Sequence, residues 1–261
     1  MKECKVALAQ IDLKLGDKEV NLKKTSAMAS KAAKQEVDFL CLPEYLSTGS
    51  ILEQCSKLAE PIAGYTVNKL KAIAQENGLH LVASLLEKDD VKIFNTAVLI
   101  DSKGELLAKY KKIHLFMEEQ KYITHGQDLV VVDTMFGKVG LMICYDAVFP
   151  EVARKLALQG ARIIFMPANW PNPFLPQWKL ATSARALDNQ LWLVASNRIG
   201  ADNKFTYFGK SRIVNPYGDA IIECSDKEAL RVTTVEEKTT EEFKNIVHFL
   251  RDRQPKAYTK K

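Results

Sequence analysis

Short apolar runs of strand length recur along this chain with two kinds of spacing between them, and that combination admits few folds. Residues 4–11 and 37–42 flank an alanine- and lysine-rich stretch, roughly 18–35, whose apolar Val20, Ala27 and Ala33 are diluted by polar residues as on a surface helix. Residues 66–77 read as a second helix ending at Gly78, with 79–86 as the next strand. Runs 93–100 and 105–110 are joined by Asp101-Ser102-Lys103-Gly104, a hairpin signal, and 129–135 and 138–143 form a similar pair around Gly137. Helix 150–159, strand 161–166, helix 177–189 and strand 191–196 follow, then strands 211–215 and 219–224 around Asn215-Pro216-Tyr217-Gly218. Helical crossovers demand parallel neighbours and hairpins antiparallel ones, so the pattern predicts an α/β domain with mixed sheets.

With 261 residues, 47% of them hydrophobic, the chain can bury a large core. No Pro/Gly/Ser-rich linker or abrupt composition change divides it, which makes residues 1–261 a single domain. The segment 226–261 is expected to lie across the rest of the domain or against a partner copy. The N-terminus lacks a secretory core and no run approaches a membrane span, so a soluble, cytoplasmic protein with no membrane partner is expected. Five cysteines, Cys4, Cys41, Cys55, Cys144 and Cys224, are odd in number and widely spread, which suits a reducing compartment.

A formal charge of +5 is modest, and the basic tail Lys256 to Lys261 has no aromatic-basic pattern beside it, which argues against a nucleic-acid partner. His80, His114, His125 and His248 are too dispersed for a helix-spaced zinc pair and no Cys-x-x-Cys occurs, so no metal is expected. A P-loop and a Gly-x-Gly-x-x-Gly are likewise missing from the sequence, and no cofactor is expected. Gly209-Lys210-Ser211-Arg212-Ile213 lacks the last glycine of a serine-hydrolase elbow.

Three segments carry chemistry. In Val139-Gly140-Leu141-Met142-Ile143-Cys144-Tyr145-Asp146 an apolar strand ends at a thiol just before a helix that Pro150 is suited to open. A cysteine there is lifted into a cleft, where the free N–H groups of the helix start are expected to favour its thiolate. The run Val37 to Pro43 delivers Glu44 beyond a parallel strand, where open α/β sheets place their chemistry. In Lys109-Tyr110-Lys111-Lys112-Ile113-His114-Leu115-Phe116, Lys112 is set among apolar and aromatic residues, and His114 is read as bracing that loop.

Together these segments resemble the nitrilase superfamily of carbon–nitrogen hydrolases, whose members carry a Glu-Lys-Cys triad. The glutamate of the Leu-Pro-Glu motif is Glu44, the lysine before Ile-His-Leu-Phe is Lys112, and the cysteine of Ile-Cys-Tyr-Asp is Cys144. The further glutamate many members carry after the lysine matches Glu119 best, with Glu118 as competitor. Phe149-Pro150-Glu151, Pro167-Ala168-Asn169-Trp170, Arg185 to Asn189, Ser196 to Gly200 and Phe208 to Ser211 are similar to family segments in family order. The resemblance implies a four-layer αββα sandwich, a homodimer paired through helices near the cysteine, and hydrolysis of a small carboxamide through a thioester. Tyr145 would lend its backbone N–H to the oxyanion.

Relatives acting on N-carbamoyl amino acids or on ω-amides of dicarboxylates tend to have arginine three or four residues after the cysteine, a clamp for a substrate carboxylate. Ala147 and Val148 stand there. A neutral acyl group is therefore expected, unless Arg198 or Arg185 substitutes. Tyr145-Asp146 in place of the Trp-Glu of dedicated nitrilases favours amides over nitriles. Asn169 is a substrate-binding candidate, and Tyr45, Phe116, Trp170 and Phe174 are expected pocket walls, Trp170 and Phe174 serving equally well in packing or dimer contacts. An ω-amidase, a carbamoylase or a nitrile hydrolase could use the same triad, and a non-enzymatic scaffolding dimer is the reading from another class.

Overall fold

A computed structural model describes residues 2–258 of the chain. The first sheet is built from β1 (Cys4–Gln10), β2 (Phe39–Cys41), β3 (His80–Asp89), β4 (Lys92–Ile100) and β5 (Leu106–Lys111). The second takes β6 (Val130–Thr134), β7 (Gly137–Leu141), β8 (Ile163–Ala168), β9 (Trp192–Asn197), β12 (Arg212–Val214) and β13 (Ala220–Glu223), with β10 (Ile199–Ala201) and β11 (Thr206–Phe208) as a separate hairpin. A late strand, β14 (Ala229–Val235), returns to the first sheet beside β1. The orders are β14-β1-β2-β3-β4-β5 and β13-β12-β9-β8-β7-β6. In each sheet the central pairs are parallel, β1/β2 and β2/β3 in one, β7/β8 and β8/β9 in the other, and the flanking pairs are antiparallel.

The helices are α1 (Lys18–Ala33), α2 (Cys55–Leu58), α3 (Tyr65–Asn77), α4 (Pro150–Leu158), α5 (Leu175–Asn189), α6 (Glu237–Ile246) and α7 (Pro255–Tyr258). Local signals set their ends. Asp17 caps α1 by accepting from the Val20 N–H, Gly78 closes α3 in the left-handed region at φ 65°, and Pro150 opens α4.

Side-chain alternation along the strands then decides the layers. Val6, Leu8, Phe39, Cys41, Val82 and Leu99 point to the second sheet, in one cluster with Ile163, Phe165 and Val194. Their neighbours Ala7, Ala9, Leu40, Leu42, Leu81 and Val98 point the other way, into a cluster with Leu22, Ala29 and Ala32 of α1 and Leu70 and Ile73 of α3. On the far face of the second sheet, a Cβ on Gly140 would meet Leu156 of α4 at 3.2 Å, so glycine permits that close approach. Helices α4 and α5 cover this side, giving four layers: helix, sheet, sheet, helix. Each large aliphatic side chain fully buried between them is worth about 1.5–3 kcal/mol.

Polar ties cross the two sheets as well. Fully buried Gln10 on β1 accepts from Ser211 N and Oγ and donates to the carbonyls of Ser225 and Lys227. Ser196 Oγ of β9 donates to Ala9 O at 2.8 Å.

The segment after residue 226 adds an edge strand and a helix to the domain itself. Beyond β14, Phe243 of α6 stacks on Tyr217 at 4.3 Å, and Trp192 Nε1 donates to Glu236 O. Among the described residues, no helix is long and apolar enough to cross a membrane.

Candidate active site

The parallel strands of both sheets end on the same side, and the loops beyond them supply the reactive groups. Glu44 follows β2, Cys144 follows β7, Asn169 follows β8, and Lys112 follows β5 of the first sheet. A backbone bond ties the Glu44 loop across the interface, Glu44 N to Ala168 O at 3.3 Å, and within the first sheet Lys112 N donates to Asn95 O of β4 at 2.8 Å.

Lys112 is the hub. Its Nζ lies 2.8 Å from Glu44 Oε1 and 3.1 and 2.9 Å from the two oxygens of Glu119, with all three residues buried. Glu44 accepts further bonds from Asn95 Nδ2 at 2.7 Å and from Asn169 N at 2.8 Å. Glu119 accepts from the Tyr45 hydroxyl and from Phe116 N. Every carboxylate oxygen therefore has a fixed donor, so the ammonium and both carboxylates are held without freedom to turn. Glu118 goes elsewhere: it is half-exposed and pairs with Lys204 and Lys121.

Cys144 heads a 3-10 turn, Cys144–Val148, with φ 45°, a conformation that an L-residue other than glycine adopts only under constraint. The constraint is Asp146. Its fully buried carboxylate accepts from Tyr110 Oη at 2.8 Å, Ile143 N at 2.9 Å, His114 N at 3.1 Å and His114 Nδ1 at 2.9 Å. One side chain thus ties the lysine loop, β5 and the cysteine turn together, while the His114 ring stacks on Phe149 at 3.6 Å.

Burial first, then the negative charge of Glu44, push the Cys144 thiol well above its ordinary range; Lys112 and the Asn169 N–H oppose this without reversing it. This corrects the expectation that a helix start would favour the thiolate: α4 begins only at Pro150, and the thiol meets a carboxylate instead. The Glu44 carboxyl is raised in turn, mainly by burial and also by Glu119, against the pull of Lys112. For Lys112, burial works against the charge, but Glu119, Glu44 and Cys144 outweigh it and hold the ammonium protonated.

Glu44, Lys112, Glu119 and Cys144 form one end of a cavity of about 380 Å³, with Tyr45, Phe116 and Asn169 among its walls. Neither polar atom of the Asn169 side chain bonds to another described protein group. Two expected wall residues, Trp170 and Phe174, are absent from its lining, as is the substrate-binding candidate Tyr145. Trp170 is buried against Trp178, at 5.3 Å between rings, while the Tyr145 and Phe174 rings meet Phe116 edge to face at 5.2 and 6.2 Å. Arg198 does not line the cavity either: it is fully buried, bonded to Asp12 and to Leu13 O, and Arg185 sits on α5 beside Asp188.

Several contributors escaped the sequence reading. Asn95 and Ser84, which orient Glu44 and Tyr45 by hydrogen bonds of 2.7–2.9 Å, are fully buried in strands. Their signal was present as polar residues interrupting apolar runs. Asp202, Lys204 and Tyr207, on the β10–β11 hairpin, line the mouth and left no comparable trace.

A sequence model described as carbon-nitrogen hydrolase matches residues 5–245. The chain is 32% identical over 228 residues to a 2-oxoglutaramate amidase of Bacillus subtilis, covering 86% of this chain and 88% of the relative. Among solved structures it superposes on Saccharomyces cerevisiae Nit3, a nitrilase superfamily member, with a TM-score of 0.91 at 28% identity, covering 97% of each chain. On an amidase from Nesterenkonia sp. AN1, solved in complex with acrylamide, it superposes with a TM-score of 0.89 at 25% identity over 98% of this chain and 96% of that one. The four layers, the ordered motifs and the whole-length match agree: the chain belongs to the carbon–nitrogen hydrolases of the nitrilase superfamily, enzymes acting on non-peptide C–N bonds.

Proposed function

We propose that the protein hydrolyses a small, uncharged carboxamide to carboxylic acid and ammonia through a thioester on Cys144, with Glu44, Lys112 and Glu119 as its partners. The observation that carries this reading is the joint placement of thiol, carboxylate and ammonium at one end of a cavity, beside Tyr45, Phe116 and the amide of Asn169.

The raised thiol and the raised carboxyl belong together. A resting thiolate is disfavoured beside Glu44, so sulfur gives its proton to Glu44 only as it attacks the amide carbon. The carbonyl oxygen, now negative, is stabilised by the Lys112 ammonium and the Tyr145 N–H. Glu44, now protonated, returns the proton to nitrogen as the C–N bond breaks, releasing ammonia and leaving the thioester. Water, losing its proton to Glu44, attacks the thioester, and Glu44 returns that proton to sulfur as the C–S bond breaks, freeing the acid and the thiol. Glu119 holds Lys112 and receives the Tyr45 hydroxyl, which fixes the ammonium in place. The unpaired Asn169 amide is matched to a substrate carboxamide, which offers both a donor and an acceptor.

Neutrality of the acyl group is supported by the cavity lining, which contains no arginine among the described residues. A second reading, an ω-amidase, is favoured by the B. subtilis relative, named for an amide that also carries a carboxylate. Five unpaired cysteines suit a reducing, cytoplasmic setting, and we propose a homodimer as the working form. Ammonia release from neutral amides, ω-amides of dicarboxylates, carbamoyl compounds and nitriles tests the substrate. Cys144→Ala should abolish turnover, and Glu44→Gln should lower it by about 10²–10⁴-fold. Normal turnover by Cys144→Ala would sink the mechanism.

A further inference from the structure

At the outer end of the cavity, three segments that are distant in sequence meet in one ion cluster. Lys204, at the tip of the β10–β11 hairpin, lies 2.7 Å from Glu53 on the turn Leu52–Gln54 and 2.6 Å from Glu118 on the turn Met117–Lys121. All three line the cavity and are about half exposed, at 47%, 50% and 43% for Lys204, Glu53 and Glu118. Being exposed, such pairs contribute little to stability. Their position at the mouth gives them a different use.

Among the described lining residues, the cations are Lys112 and Lys204, set against Glu44, Glu53, Glu118, Glu119 and Asp202. Lys112 is occupied by Glu44 and Glu119. Lys204, the cation a substrate carboxylate would meet first, is occupied by Glu53 and Glu118, and only Glu118 gains a further cation, the exposed Lys121. Glu118 is held down at about 2 by its bonds to Lys204 and Lys121, and Glu53 is lowered by Lys204, so both stay ionised through neutral pH. Asp202 adds a third carboxylate, committed to Ser50, Tyr207 and the N–H groups of Lys204 and Phe205. The mouth therefore presents excess negative charge within a concave wall, where the field of like charges is focused.

We infer that Glu53 and Glu118, by neutralising Lys204, set the charge selectivity of this pocket: reagents and amides with an uncharged body pass, and carboxylate-bearing ones are turned away. This deepens the amidase reading, because it assigns residues to the preference for neutral acyl groups. It also states how the same pocket would be opened to ω-amides: leave Lys204 in place and remove its two acidic partners.

The test needs no turnover. Iodoacetamide and iodoacetate differ in charge and little in size, and both alkylate thiols. Their rates at Cys144, read by peptide mass spectrometry and normalised to a free thiol, give a charge-selectivity ratio. Glu44 lies beside the sulfur in every variant and cancels from the comparison. In the double variant Glu53→Gln, Glu118→Gln the iodoacetate-to-iodoacetamide ratio should rise about tenfold over the unaltered protein, and 0.5 M salt should shrink the difference. Lys204→Met should move the ratio the opposite way. A ratio within about twofold of the unaltered protein in the double variant, or a rise in Lys204→Met, overturns the inference. Ammonia release is measured separately, so failure of the amidase reading shows as absence of ammonia from every amide while the alkylation ratio still decides the role of the mouth.

Discussion

At the residue scale, Lys112 does two jobs that a stability measurement can separate. It lies between Glu44 and Glu119, all buried, and its removal would leave two carboxylates without their counter-charge. Lys112→Ala should therefore lose about 3–5 kcal/mol in chemical unfolding at neutral pH. Glu44→Gln should behave differently. The Glu44 carboxyl is raised above its ordinary 4.5 by burial, so the folded chain binds that proton more tightly than the unfolded chain does. Stability contributed by the protonated form is present below pH 4.5 and is lost as pH rises through the raised value; Gln keeps the neutral form at all pH and should lose little. The same shift sets the rate profile. Glu44 must be ionised to take the thiol proton, so the acid limb of kcat/KM should have its midpoint above 4.5, and a midpoint at or below that value would contradict the assignment.

Elements matter here through the loops they aim. A strand leading into a turn explains why Cys144 reaches the cavity, but its left-handed backbone depends on Asp146, which collects four donors from β5, the lysine loop and the cysteine turn. In Asp146→Ala the buried Tyr110 hydroxyl and Ile143 N–H lose their acceptor, at about 1–3 kcal/mol each. Asp146→Asn, the milder change, should lower kcat about tenfold or more with KM altered less than about threefold, because it shifts the nucleophile and leaves the cavity walls intact. Equal changes in kcat and KM, with iodoacetamide reacting at Cys144 at the unaltered rate, would assign Asp146 a purely structural role.

On the scale of the whole molecule, α4 and α5 cover one face of the sandwich and also leave features that a second copy would complete. Leu158 on α4 and Leu180 on α5 are 49% and 72% exposed, and guanidinium nitrogens of Arg154 and Arg185 are buried with no protein partner among the described residues. Pairing of two copies through these helices would cover the leucines and offer the guanidinium groups acceptors. Sedimentation at micromolar concentration should give twice the 29.3 kDa chain mass, and Leu180→Glu should shift it toward the single-chain value. A single-chain mass for the unaltered protein would overturn the pairing.

Sequence by itself determined the local elements and the identity of the reactive groups. Strand-length apolar runs, Gly78 and Pro150 as helix boundaries, and the strand ends that Glu44, Lys112 and Cys144 follow are all set by neighbours close in the chain, where periodicity and backbone preference act directly. Only the tertiary structure decided the electrostatics. Whether Cys144 rests as thiol or thiolate depends on a carboxylate from residue 44, and its turn geometry depends on contacts with residues 110 and 114. Strand β14, mostly half-buried and mixing apolar residues with Arg231, Thr233 and Thr234, was illegible for the same reason, since its partner β1 lies at the other end of the chain. So was the mouth, where Glu53, Glu118 and Lys204 are ordinary surface charges until folding sets them within bonding distance of one another. Coulomb energy and burial depend on separation in space, and one-dimensional order carries neither until the sheets are packed.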